Sequence, residues 1–316
     1  MKVLLEVKNV SKKVEDRIIV DDISFVQQPL QKIAIAGESG AGKTTLLKMI
    51  TGYAQPTGGS ILFNGESVIG PEEKLMPGHK MMGYLSQHYE LPNHYRVEEL
   101  IWFENKLDEA EAKRLFEICR IDNLLQRKTN YLSGGEKQRI ALCMLLVKQP
   151  TLLVLDEPFS NLDPIHTNTL KDVLDDITVR LKITCTLTSH DPHDTLSWAD
   201  EILVVKDGRL VQEGSPQDVY YKPVNEYVAG LFGKYNLLQP QVAALFGIDT
   251  KGNAIMTRPE NFRIYKTGSG VKGIIHKISF WGSFYEAKVI IDGARIIVRS
   301  NSNEWRPGDK IFVGIN

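Results

Sequence analysis

Short apolar runs alternate along the chain with stretches whose apolar residues recur every three or four positions. Lys32-Ile33-Ala34-Ile35-Ala36 reads as a buried strand, and Thr151 to Leu155 is continuous enough for a strand covered on both faces. Val3 to Val10 alternates partly apolar and polar residues and predicts a strand. Ile18 to Val20 and Ile23 to Val26 predict two more short ones. Gly58-Gly59-Ser60 opens Ile61 to Phe63, and Asn64-Gly65 is a hairpin signal. Pro71 to His79 reads as loop, Met82 to Ser86 as a strand ending at Gln87, and Ile183 to Thr188 as another strand. Glu201 to Val205 and Arg209 to Gln212 flank an Asp207-Gly208 turn.

The three-to-four spacing marks the helices. Leu46 to Ile50 reads as the first turns of one, and Val97 to Lys106 and Asp108 to Cys119 as two more. Asp108 with Glu111, and Ser133 with Glu136, sit at capping-box spacing; the second pair opens a helix running to about Lys148. Residues 89–149 therefore form a mostly helical insertion. Leu170, Val173, Leu174, Ile177 and Leu181 share one helix face, and Pro216 to Tyr221 and Glu226 to Phe232 read as short helices. Strands alternating with helices imply a mainly parallel α/β core. From about Gly233 the texture changes to glycine-punctuated β-runs: Val271 to Ile278, Phe284 to Ile291, Ala294 to Val298 and Lys310 to Val313, with Asp292-Gly293 as a second hairpin signal. That tail reads as a small all-β domain, a partial barrel.

Composition narrows this picture without redirecting it. The 316 residues suffice for two domains, and 42% hydrophobic with 24% charged residues is ordinary for a globular chain. A net charge of -1 provides no whole-chain field for nucleic acid or an anionic membrane. Cys119, Cys143 and Cys185 form no C-x-x-C pair, as expected of reduced cytosolic thiols rather than a metal site. Met1 to Glu6 is too short an apolar start for a signal peptide. The longest apolar run, Ile140 to Val147, is far below a membrane span, so any work at a membrane needs another chain to cross it.

The chemistry concentrates in three stretches. Gly37-Glu38-Ser39-Gly40-Ala41-Gly42-Lys43-Thr44-Thr45 lies between a strand and a helix, the context of a phosphate-binding loop. Its glycines let successive N–H groups point into one concavity, where the helix N-terminus adds its positive end. Lys43 can reach the β- and γ-phosphates, and the Thr44 hydroxyl can ligate Mg²⁺. Asp156, at the end of a buried strand, is placed to hold Mg²⁺ through water. Glu157 follows it and can orient or deprotonate an attacking water. Without the phosphate loop these two would pass for an exposed acidic pair. Ser133, Gly134, Gly135 and Glu136 make a second backbone anion site at a helix start, though capping alone would explain them.

Taken together, Gly37 to Thr45, Gln87, Leu132 to Gln138, Leu152 to Glu157, Ser160-Asn161-Leu162-Asp163 and His190 occur in the order found in ATP-binding-cassette (ABC) ATPases, and over about 235 residues the chain resembles that family. Leu132-Ser133-Gly134-Gly135-Glu136 resembles the stretch that separates it from other phosphate-loop NTPases. Trp198 to Ile202, Asp207 to Arg209 and Glu213 to Pro216 are similar to the region after the switch histidine of import ATPases. Arg258-Pro259-Glu260-Asn261 and the β-runs after it resemble, more loosely, the TOBE domain of iron(III), polyamine, sugar, sulfate and molybdate import ATPases.

The resemblance implies a RecA-like phosphate-loop ATPase core over 1–235, with the helical subdomain at about 89–149, and a TOBE- or OB-like β domain over 236–316. It implies ATP and Mg²⁺ as ligands, the metal held by Thr44, Gln87 and Asp156. It implies a homodimer in which each ATP lies between Gly37–Thr45 of one copy and Ser133–Glu136 of the other. Glu157 would be the catalytic carboxylate; Gln87 would contact Mg²⁺ and the water, His190 would hold the γ-phosphate, and Asp163 would communicate across the dimer. Membrane permease subunits and a solute-binding protein would be partners, with no nucleic acid expected, and the protein would sit on the inner face of the cell membrane. A groove near Gln87 to Arg96, with Tyr89, Leu91 and Tyr95, would receive a helix from the membrane subunit. The cargo would be iron(III) or a polyamine. Export, and a non-transport ABC protein acting on nucleic acid or ribosomes, are the alternatives; the tail is either a packing domain or a ligand-binding module. One departure stands out: family members usually place an aromatic residue near Val14 to stack on adenine, and none lies between Ser11 and Arg17. Histidines such as His79, His88 and His193 are expected as surface residues.

Overall fold

The computed structural model describes residues 3–87, 90–160, 162–268 and 270–315. It divides into two compact units, Met1–Pro216 and Gln217–Asn316.

The first unit holds a six-stranded sheet in the order Arg209–Gly214, Glu201–Lys206, Lys32–Ala36, Thr184–Ser189, Leu152–Asp156 and Met82–Leu85. All pairings are parallel except that of the Arg209–Gly214 edge strand. Every residue of Leu152–Asp156 and of Thr184–Ser189 is buried. The first is apolar up to its terminal Asp156, as a strand covered on both faces should be, whereas the second buries Thr184, Thr186, Thr188 and Ser189. The helix Lys43–Ile50 buries Leu46, Leu47, Met49 and Ile50 in the core shared with Ile33, Ile35, Leu152 and Val154. The helix Pro164–Arg180 buries Leu170, Val173, Leu174 and Ile177, the face read from the sequence.

A second, antiparallel sheet runs Arg17–Gln27, Leu5–Val14, Gly58–Phe63 and Glu66–Ser67. Two strands were expected between Ile18 and Val26, yet Arg17–Gln27 is a single strand. Asp21 and Asp22 do not break it, because each carboxylate is paired outward. Arg209 Nη2 lies 2.6 Å from Asp21 Oδ2, and Asn9 Nδ2 donates to Asp22 Oδ1 at 2.8 Å. Register shifts and the positive φ of 53° at Asp22 absorb the irregularity. His79 is half-buried rather than a plain surface residue, its ring edge-on to Phe63 at 5.0 Å; His88 lies outside the described residues.

Val97–Glu104, Glu109–Cys119 and Gly134–Leu146 make up the helical stretch. Asp108 caps the second of these as the spacing predicts, accepting from Glu111 N at 2.8 Å.

In the second unit a five-stranded antiparallel sheet runs Phe262–Tyr265, Lys310–Ile315, Val271–Phe280, Tyr285–Ile291 and Ala294–Ser300. Its first and last strands touch, so the sheet curls into a partial barrel around Phe262, Val289, Val298 and Val313. Asp292 and Gly293, with φ of 46° and 78°, form the hairpin turn that their types demand. The strand pair Asn236–Leu238 with Ile255–Thr257, the helix Pro240–Leu245 and the strand Phe262–Tyr265 were not legible beforehand. Arg258 is buried and ties this unit together: Nε donates to Tyr220 O at 2.9 Å, and Nη1 to Ala229 O, Gly233 O and Lys234 O at 2.9, 3.2 and 3.2 Å. The compact unit that holds Arg258 accordingly begins at Gln217 and includes all four of these carbonyls.

Candidate functional site

The loop between the strand Lys32–Ala36 and the helix Lys43–Ile50 is shaped by its glycines. Gly40 and Gly42 have φ of 83° and 98°, and a Cβ on Gly42 would come within 2.5 Å of Ile19 O. A Cβ on Gly37 would strike Val205 O. The helix begins with no side-chain cap and no acidic residue in its first turn, so no cap side chain or carboxylate of its own competes for its leading N–H groups. Lys43 is 5% exposed; Nζ donates to Gly37 O at 2.7 Å and to Glu38 O at 3.0 Å, and lies 3.8 Å from Glu157 Oε1. Burial lowers its pKa, against the opposing pull of Glu157 and Asp156. Thr44, the next residue, is exposed.

The carboxylates sit where parallel strands end. Asp156 is 2% exposed; Oδ1 accepts from Thr188 Oγ1 at 2.8 Å and Oδ2 from the Tyr84 hydroxyl at 3.2 Å. Burial, reinforced by Asp156, raises the Tyr84 pKa and keeps the phenol protonated. Thr188 Oγ1 also accepts from Glu157 N at 2.9 Å, so one hydroxyl fixes both acids. Glu157 has φ of 48°, the left-handed region that non-glycine residues visit at a cost. This turn swings its carboxylate onto three partners: Lys43, Gln87 Nε2 at 3.3 Å from Oε2, and His190 Nδ1 at 3.3 Å from Oε2. Lys43, Gln87, Asp156, Glu157 and His190 are thus brought together. Tyr84 and Thr188 contact these carboxylates and the motifs missed them; the sequence offers only a hydroxyl near the end of each strand, and Thr184–Ser189 carries three others.

The turn Ser133–Glu136 is built differently. Ser133 Oγ accepts from Glu136 N at 3.2 Å, Ser133 N donates to Glu136 Oε2 at 2.8 Å, and Arg127 Nη1 donates to Glu136 Oε1 at 3.0 Å. Gly134 borders open space, whereas Gly135 is buried against His166. In the next turn, Gln138 Nε2 donates to Pro158 O, one residue past Glu157. Asp163 caps the helix Pro164–Arg180, its Oδ1 accepting from Ile165 N at 2.9 Å and His166 N at 3.0 Å; its Oδ2 meets His166 Nδ1 at 2.6 Å. The His166 amide, and then its ring, hold the Asp163 carboxyl below the usual range.

Around the groove expected near Gln87 to Arg96, Tyr89 lies outside the described residues, as does Asn161. Leu91 is half-buried and Tyr95 exposed, and the helix Val97–Glu104 adds exposed Trp102 and Phe103. Val14, the position near which the family resemblance expects an aromatic ring, is an exposed aliphatic residue, as is Ile18 beyond it. Among the described residues no group of three or more His, Cys, Asp or Glu side chains is arranged to hold a metal. The oxygens of Thr44, Gln87 and Asp156 nevertheless suit Mg²⁺, a hard cation that keeps most of its waters and takes few protein ligands. Among the described residues no helix is long and apolar enough to cross a membrane.

Residues 20–160 match the ABC transporter family and residues 255–316 the TOBE domain. The chain is 31% identical to a spermidine/putrescine import ATP-binding protein PotA of Clostridium acetobutylicum, over 99% of this chain and 94% of that one. It is 31% identical to the Fe(3+) ions import ATP-binding protein FbpC 2 of Rhodococcus jostii, over 98% and 96%. Among solved structures it is similar to cbiO1 of Clostridium perfringens, part of the ABC transporter complex cbiONQ, with a TM-score of 0.62, 26% identity, and 69% and 91% of the two chains covered. The chain belongs to the ABC transporter family and is an ATPase of it, carrying a TOBE domain after the ATP-binding unit.

Proposed function

We propose that this chain powers an importer: two copies close head to tail on two ATP molecules, and the closing and reopening drive membrane-spanning permease subunits. The observation that carries the reading is the convergence of Lys43, Gln87 and His190 on Glu157 beside Asp156. The uncapped first turn after Gly42 and the Lys43 ammonium cradle the β- and γ-phosphates. Thr44, Gln87 and Asp156 would hold Mg²⁺, which would supply positive charge against the phosphates. Glu157 orients a water and takes its proton as the oxygen bonds to the γ-phosphorus and the bond to ADP breaks. His190 donates to the γ-phosphate, and Gln87 aligns the water. Ser133–Glu136 of the second copy completes the nucleotide site, and Asp163 links the two sites across the dimer.

Both named relatives are import ATP-binding proteins, one for polyamines and one for iron(III), and these two cargoes are the reading for this chain. The exposed Tyr95, Trp102 and Phe103 would face the permease, with a solute-binding protein delivering cargo from the far side of the membrane. Glu157→Gln removes the base but keeps the shape. It should bind ATP, lose about 10²–10⁴-fold in turnover, and trap an ATP-dependent dimer on a sizing column. Unchanged turnover would remove Glu157 from this role. Cargo is tested by co-purifying the permease and following spermidine and Fe³⁺ uptake into vesicles; outward movement of solute would overturn import.

A further inference from the structure

In the nucleotide clamp described above, Gly135 would be small so that a phosphate of the partner's ATP can approach. The geometry points to a second reason, within the same chain. A Cβ on Gly135 would lie 2.5 Å from His166 Cδ2, 2.9 Å from Cγ and 3.0 Å from Cβ. These are atoms near the root of the side chain, so a ring flip does not clear them. The ring is held from its other edge: His166 Nδ1 meets Asp163 Oδ2 at 2.6 Å, and with that carboxylate as acceptor Nδ1 carries the proton. Asp163 is fixed in turn by capping its helix through Ile165 N and His166 N. Backbone cap, carboxylate, imidazole and glycine thus form one continuous stack.

We propose that His166 is a positioning residue: pinned by Asp163, it fills the space beneath Gly135 and sets the height at which Ser133–Glu136 is presented to the second copy. The idea rests on the two-copy reading of the site. It makes the glycine at 135 a requirement of this chain's own His166 as well as of the ligand, and it gives Asp163 a task inside its own copy.

The test is a double-mutant cycle in the full chain carrying E157Q, reading the ATP-dependent dimer dissociation constant by sedimentation. Nucleotide affinity of the monomer is measured in parallel with a fluorescent ATP analogue. H166A should weaken the dimer several-fold and leave monomer affinity unchanged, and H166N, whose amide takes the place of Nδ1, should restore it. G135A should weaken the dimer by about 30-fold or more with His166 present, and by less than about 5-fold once H166A has cleared the ring. An equal penalty for G135A in both backgrounds would overturn the proposal and leave the partner's nucleotide as the sole reason for the glycine. If E157Q itself forms no ATP-dependent dimer, the clamp reading fails separately. The same cycle is then read from urea midpoints of the nucleotide-free chain: a smaller G135A penalty beside H166A supports the stack, and an equal one refutes it.

Discussion

Two helices in this molecule begin with glycines, and they begin in opposite ways. Lys43–Ile50 starts from Gly42 in a left-handed conformation, with no side chain closing its first turn. Gly134–Leu146 starts from Ser133, which closes a reciprocal box with Glu136, while Arg127 neutralises the glutamate. The first helix start has its strongest donors unspent and a buried lysine beside them. The second spends Glu136 N on the Ser133 oxygen and Ser133 N on the Glu136 carboxylate, and retains the hydroxyl proton of Ser133. The difference teaches that similar composition gives two kinds of helix start; under the proposed function the open one would bind an anion by itself and the closed one would complete a site assembled on the second copy.

Substitutions that treat the two starts alike separate them, and the largest contrast comes from alanine in place of glycine. Gly42→Ala places a Cβ 2.5 Å from Ile19 O at a positive φ. It should destabilise the chain by about 1–3 kcal/mol and abolish binding of a fluorescent ATP analogue. Gly134→Ala meets open space; stability should be unchanged or raised by up to about 1 kcal/mol, monomer binding of ATP retained, and only the two-copy step impaired. If G134A also lost monomer binding, the division of labour would fail.

Thr188→Val tests how far the first site depends on its support. It removes the donor to Asp156 and the acceptor of Glu157 N, for a cost of about 1–3 kcal/mol, with turnover falling more than ATP affinity. Calorimetric melting and steady-state kinetics read the two parts. Ser133→Ala should cost about 1 kcal/mol in helix stability and lower turnover without changing monomer affinity. Val14→Tyr offers adenine a ring and should tighten ATP binding by about 1–2 kcal/mol; isothermal titration measures it.

The smallest effect is in acid. The Asp163 pKa is lowered in the folded chain, so the unfolded state binds its proton first as pH falls. The stabilisation is complete above the ordinary carboxylate range and is lost as pH drops through the folded value. Wild type and Asp163→Asn should therefore differ in urea midpoint at neutral pH and converge in strong acid.

What the sequence made legible is what local chemistry decides. The phosphate loop, the boxes at Asp108 and Ser133, the Asp292-Gly293 turn and the acids at the end of Leu152–Asp156 depend on neighbours a few residues away. What escaped depends on register across the sheet. Thr188 reaches both acids because the strand Thr184–Ser189 pairs in parallel with Leu152–Asp156, opposing Thr188 to Asp156. Tyr84 reaches Asp156 from the other side for a similar reason, through Met82–Leu85. His166 under Gly135 joins two helix starts that no spacing connects. Asp21 and Asp22 look like a strand break until Arg209 and Asn9 are seen to pair them.

The Arg258 guanidinium carries a practical consequence. Its partners Tyr220, Ala229, Gly233 and Lys234 all precede residue 236. A fragment excised at 236 would strand a buried cation with none of the carbonyls that quench it, and should misfold or precipitate. One beginning at Gln217 keeps all four and is the piece to cut for work on the C-terminal unit in isolation.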